Sequence, residues 1–131
     1  MSRLKKTASD LVQTARGRIK EIPSEDVVDL LSDKKVVIVD LRDIRERQRE
    51  GFIPTSIHAP RGMIEFWVDP ESPYFKPVFG KKKRFIFYCA SGWRSALTVS
   101  TLKDMGFEAE HIGDGFTGWI KNKGPVDKPI D

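Results

Sequence analysis

Two apolar runs, VVIV at 36–39 and RFIFYC at 84–89, constrain what this chain can fold into. Neither alternates polar with apolar residues. A strand of that kind is buried on both faces, so the sheet that holds it needs a layer on each side. Parallel strands joined by helical crossovers meet that need, and the segments between the runs carry helical spacing. The pattern predicts an α/β domain with a mostly parallel central sheet flanked by helices on both faces.

The other elements follow from spacing and punctuation. Leu4, Ala8, Leu11, Val12, Ala15 and Ile19 share one face of a helix, giving an N-terminal amphipathic segment over 1–21 that packs on the body. Ser24 is placed as N-cap of a second helix whose buried side is Val27, Val28, Leu30 and Leu31. Residues 43–50 read as a helix stopped by Gly51, Ser56–Ala59 as a short strand and Arg61–Trp67 as a short helix. The prolines and glycine of 69–83 make a loop. A helix runs from Trp93 to Met105 and ends at Gly106, a strand covers Phe107–Ile112, and Gly113–Gly115 turns into a last helix clamped by Phe116 and Trp119. The domain is expected over 22–125, with a polar tail at 126–131.

A chain of 131 residues suits one domain. Its net charge of +4 clusters weakly at Lys81–Lys83 with Arg84 and around Arg42–Arg49, where Asp43, Glu46 and Glu50 interleave the arginines in the pattern of a solvated helix face more than of a nucleic-acid site. The excess charge would help attract a small anion. No segment has the apolar length of a secretory leader or a membrane span. A single cysteine cannot form an internal disulfide, which fits a reducing compartment. The expectation is a soluble cytoplasmic protein with no membrane or nucleic-acid partner.

That cysteine, Cys89, ends the second apolar run and is followed by Ala90, Ser91, Gly92, Trp93, Arg94 and Ser95. A strand, a tight loop and a helix start form an anion cradle, because loop amides and the helix N-terminus point at one spot. Gly92 lets the loop turn, Ser95 can hydrogen-bond near the helix start, and Arg94 adds a permanent cation. The donors that bind an anion also favour a thiolate, so Cys89 is the expected nucleophile. Trp93 would shield the loop. Cysteine phosphatases place five residues between Cys and Arg to wrap a phosphate; here there are four, and Tyr88 stands where many tyrosine phosphatases carry histidine. The shorter loop suits a smaller group, such as the outer sulfur of a persulfide. His58 and His111 are taken as surface or sheet-end residues, which argues against a cysteine protease, and one cysteine with two scattered histidines cannot make a zinc site. No cofactor or metal is expected.

VVIVDLRDIRERQREGFIPTSIHAPRG, FYCASGWRSALTVSTLKDMGF and HIGDGFTGW, in that order, resemble the signature segments of single-domain rhodaneses, and RGMIEFWVDPESPYFKPVF resembles the bacterial-type subgroup. Asp114, between Gly113 and Gly115, departs mildly from that pattern. The resemblance spans about 22–125. It implies a rhodanese-like fold and a ping-pong sulfurtransferase in which Cys89 takes a sulfane sulfur from a donor such as thiosulfate. The resulting persulfide is held by the amides of Ala90 to Arg94, and a thiophilic acceptor, cyanide or a thiol, removes the sulfur. Any acceptor protein is unknown. Arg94 and Arg61 would bind the donor's oxyanion end. Asp40 and Arg42 are read as structural, with Arg42 paired to Glu46 at helical spacing; Glu65 and Trp67 either line the pocket or pack. The competing readings are a non-catalytic interaction module and a cysteine phosphatase or arsenate reductase.

Overall fold

The computed structural model describes residues 3–129. Residues 1, 2, 130 and 131, which end the expected N-terminal segment and tail, lie outside the described residues. The elements in order are α1 (Ala8–Arg16), β1 (Lys20–Ile22), α2 (Ser24–Val27), β2 (Val36–Asp40), α3 (Ile44–Glu50), β3 (Ile57–His58), α4 (Ile64–Val68), β4 (Arg84–Tyr88), α5 (Trp93–Asp104), β5 (Glu110–Ile112) and α6 (Gly115–Lys121). The five strands form one sheet in the order β1-β5-β4-β2-β3, and every pairing is parallel.

The two apolar runs are the paired central strands, in register from Val36 with Arg84 to Asp40 with Tyr88. Side chains alternate across them, so one run feeds two cores. Val39, Phe85, Phe87 and Cys89 face a cluster containing Ile64 and Val68 of α4 and Val99 and Leu102 of α5. Ile38, Ile86 and Tyr88 face the opposite cluster, with Val27 of α2 and Phe116 and Trp119 of α6. This double coverage is the physical reason the runs lack alternation. The last helix is clamped as expected, with Phe116 and Trp119 buried. The Trp119 indole Nε1 donates to the Pro125 carbonyl at 2.7 Å. Beyond it, Phe52 and Asp127 exchange backbone hydrogen bonds in a short antiparallel bridge, which fastens residues 124–127 to the body.

The N-terminal region differs most from expectation. α1 begins at Ala8 behind a capping box in which Thr7 and Asp10 satisfy each other's backbone amides. Leu4 and Leu11 stay exposed, and only Val12 and Ala15 are buried, against Ala96 of α5. Ile19 lies beyond the helix, and Lys20–Ile22 form an unforeseen edge strand beside β5. Ser24 does not cap α2; it is the first residue of that helix, and its hydroxyl donates to Asp114 at 2.9 Å. β5 is confined to Glu110–Ile112, shorter than expected.

Neighbouring connections diverge between β2 and β4: β2 leads outward to β3, β4 to β5. A crevice beyond the carboxyl ends of strands at such a switch is where open α/β sheets bind ligands. Asp40 and Cys89 both stand there. Among the described residues no helix is long and apolar enough to cross a membrane.

Candidate active site

Cys89 directly follows β4, and its side chain is buried. The loop after it is shaped from behind. The amides of Phe116 and Thr117, at the start of α6, donate to the carbonyls of Cys89 and Ala90 at 2.8 and 3.0 Å. With its carbonyls turned outward, the loop presents amides to the sulfur: Gly92 N donates to Sγ at 3.2 Å and Ser95 N at 3.4 Å. Two glycines make this packing possible. Gly92 has φ +91°, and a Cβ there would sit 2.3 Å from the Gly113 carbonyl oxygen. Gly115 has φ +61°, and a Cβ there would lie 2.5 Å from the Ala90 oxygen. The Gly-Asp-Gly segment is thus the backing of the cysteine loop, and Asp114 is used elsewhere, on Ser24.

The loop residues fall where the sequence puts them. Gly92 precedes α5, and Trp93 opens it with its ring half exposed. Arg94 is not free. Its two terminal nitrogens donate to Glu46 of α3 at 2.7 and 3.1 Å, a bidentate ion pair. The same Glu46 accepts the Asp43 amide in the capping box of α3. The guanidinium pKa is raised, first by the Glu46 hydrogen bonds, against the opposing effect of burial; the Glu46 charge and then the nearby Cys89 sulfur add to the rise. The Glu46 carboxyl is held below the usual carboxylate range by Arg94.

This corrects the expected Arg42–Glu46 pair. Arg42 is wholly buried and turns inward, donating to Asp40 at 3.0 and 2.9 Å and to the Gly51 carbonyl at 2.7 Å. Its guanidinium stacks on Phe116 at 4.2 Å. Asp40 also accepts from the Tyr88 hydroxyl at 2.9 Å and from Arg47 at 3.2 Å. These groups lace the ends of β2 and β4 together beneath the cysteine loop. Arg61 is paired with Glu65 at 3.1 Å, one turn along. Trp67 packs on the α4–α5 core with Lys76 over its ring at 4.9 Å.

The histidines separate. His58 ends β3, half buried, with Nε2 at 2.6 Å from the Arg42 carbonyl. His111 is not a surface residue: it is fully buried, in the middle of β5. Its Nδ1 lies 2.7 Å from Ser95 Oγ and its Nε2 2.8 Å from Glu21 of β1. Ser95 Oγ in turn accepts from Cys89 Sγ at 3.6 Å. Burial lowers the His111 pKa, and the Glu21 hydrogen bond only partly opposes this. Burial raises the Glu21 pKa, but hydrogen bonds from His111 and Arg16 outweigh it and hold the carboxyl low. Arg16, the last residue of α1, ion-pairs with Glu21 and donates to the carbonyls of Gly113 and Ser91 at 3.2 and 3.4 Å. Glu21, Arg16 and His111 escaped the sequence reading because their meeting depends on the short strand β1. Glu46 carried a signal, the Asp-x-x-Glu of a capping box.

Fold and loop together define an α/β domain built around a cysteine-anchored amide cradle at a sheet switch point. The chain belongs to the rhodanese-like domain family, whose model matches residues 24–122. It is 27% identical over 107 residues to thiosulfate sulfurtransferase/rhodanese-like domain-containing protein 3 of Mus musculus, covering 77% of this chain and 68% of that protein. It is 29% identical over 106 residues to rhodanese domain-containing protein CG4456 of Drosophila melanogaster, covering 76% and 96%. Among solved structures, a Rhodopseudomonas palustris protein of unknown function, called a possible tyrosine phosphatase, superposes with a TM-score of 0.91 at 42% identity, covering 97% of this chain and 98% of that one.

Proposed function

We propose that this protein is a sulfurtransferase that carries a sulfane sulfur as a persulfide on Cys89. The observation that carries the reading is the cradle itself, with Gly92 N and Ser95 N directed at Sγ from 3.2 and 3.4 Å. The Cys89 thiolate attacks the outer sulfur of thiosulfate; the new S–S bond forms as the donor's S–S bond breaks, and sulfite leaves with the electron pair. A nucleophilic acceptor, cyanide or a thiol, then takes the outer sulfur and Cys89 departs as thiolate, a ping-pong route. The amides from Ala90 to Arg94 hold the persulfide's charge. Arg94 supplies positive potential toward the donor, moderated by Glu46, and Arg61 serves as a second anion contact by opening its pair with Glu65. A reducing, cytoplasmic setting suits a chain that depends on one free thiol.

Phosphate ester hydrolysis is the second reading, since the Rhodopseudomonas palustris relative carries that name. The four-residue gap between Cys89 and Arg94 and the engagement of Arg94 by Glu46 count against it. Intact mass under non-reducing conditions after thiosulfate treatment, on wild type and Cys89→Ser, separates the readings. The expected result is a gain of one sulfur atom by wild type alone, removable by cyanide. No uptake from thiosulfate or mercaptopyruvate, together with phosphate release from a phosphotyrosine substrate, would replace the sulfur chemistry with the phosphatase.

A further inference from the structure

We propose that His111, acting through Ser95, receives the Cys89 proton when the sulfur becomes a thiolate, with Glu21 holding the imidazole in the accepting tautomer. This deepens the sulfurtransferase reading and rests on it for the use made of the thiolate.

The direction of the hydrogen bonds follows from chemistry. Glu21 is a carboxylate and can only accept, so its 2.8 Å contact places the ring hydrogen on Nε2. Nδ1 is then bare and must accept, and the only hydrogen that Ser95 Oγ can send along the 2.7 Å contact is its own. That contact is much shorter than the one from Ser95 Oγ to the Gly92 carbonyl, 3.4 Å. With its hydrogen committed to His111, Oγ faces the sulfur as an acceptor, and Cys89 Sγ–H donates to it at 3.6 Å. The resting chain runs one way: sulfur, hydroxyl, imidazole, carboxylate.

Ionising the sulfur reverses the first two links. The thiol proton passes to Ser95 Oγ while the Ser95 hydroxyl proton passes to Nδ1. One S–H bond breaks, one N–H bond forms, and Ser95 ends neutral with its hydrogen now directed at the thiolate. The imidazolium sits between that thiolate and the Glu21 carboxylate. Cys89, Ser95 and His111 are all buried, at 1%, 0% and 0% exposure, so the sulfur has this internal acceptor in place of water. The charged groups facing His111 are Glu21 on β1, Arg16 on α1, and the ionising Cys89 across Ser95 on α5. Arg16 opposes the imidazolium, but its ion pair with Glu21 spends much of that charge. His111 is thus a positioning residue for the sulfur: its protonation converts Ser95 from acceptor to donor where the thiolate or persulfide forms.

The test is thiolate ultraviolet absorbance against pH, which needs no sulfur donor, with Cys89→Ser as blank. Ser95→Ala and His111→Gln are each expected to raise the pH of half-ionisation by about one unit, about tenfold in thiolate population below the midpoint. The double variant should go no further than either single one, because both cut one chain. Glu21→Gln should move it the same way by less. Should His111→Gln fail to fold by circular dichroism, Ser95→Ala and Glu21→Gln carry the test. Folded variants whose curves overlay wild type, or single shifts that add in the double variant, overturn the relay. A shifted curve in a protein that takes no sulfur sinks the sulfurtransferase reading and leaves the relay standing.

Discussion

Asp40 and Arg42 form a fully buried ion pair, and its worth lies in what breaking it leaves behind. The carboxylate accepts from the Arg42 amide and guanidinium, Tyr88 and Arg47, so its charge is satisfied in the core. Asp40→Asn keeps the shape and strands the guanidinium, which already has one terminal nitrogen without a hydrogen-bond partner. The expected cost is about 3–5 kcal/mol, read by urea denaturation, with sulfur uptake at low denaturant falling less than stability. Arg94 presents the opposite case, a half-exposed cation muted by an acid. Glu46→Gln removes the partner and is expected to lower KM for thiosulfate by about threefold at low ionic strength, an advantage lost in salt because exposed charges are screened; a KM that is unchanged or higher would show that Glu46 does not moderate the anion site. Both residues stand in the VDLRDIRE stretch, where the acids and bases were legible as a group. Which acid holds which base was not, since helical spacing paired Arg42 with Glu46 while the strand end turned Arg42 inward.

The strands buried on both faces were legible; the edge strand β1 was not. VVIV and RFIFYC announced β2 and β4 because short β-branched and aromatic runs without alternation suit strands covered on both faces. β1, with the sequence KEI and one buried residue in three, has no periodicity to detect and exists because β5 offers it an edge. Without β1 in view, His111 reads as a surface or sheet-end residue, whereas Cys89, Gly92, Arg94 and Ser95 stand at the turn where the sequence puts them. The cysteine loop is held as a unit by its glycines. Gly92→Ala puts a methyl into the Gly113 carbonyl at a backbone angle that side chains rarely adopt. It should cost about 1–3 kcal/mol in thermal or chemical denaturation and abolish sulfur loading in the fraction that remains folded; full loading would mean the cradle tolerates a reshaped loop.

Across the whole molecule, acid should reduce stability in two separate ranges. Burial lowers the pKa of His111, so the native state resists a proton that the unfolded chain accepts near pH 6.5; its contribution is complete above that pH and declines below it. Burial raises the pKa of Asp40, but the bonds from Arg42 outweigh it and the net shift is downward. That contribution is complete above the unfolded carboxylate value and disappears only as pH falls through the lower native one. Denaturation midpoints measured from pH 8 to 3 should therefore drop first around pH 6 and again below about pH 4, and His111→Gln should remove the first decline alone. The relay ties residues from opposite ends of the chain: Glu21 meets His111 because β1 pairs with β5, Lys20 with Glu110. The site is therefore non-local: Lys20–Ile22 must wait for β5, and Cys89 gains His111 and the backing Gly113–Gly115 turn only when β5 has joined the sheet. A chain cut before β5 would carry the cysteine without its acceptor or its cradle wall, so reactivity at the sulfur depends on the completed sheet.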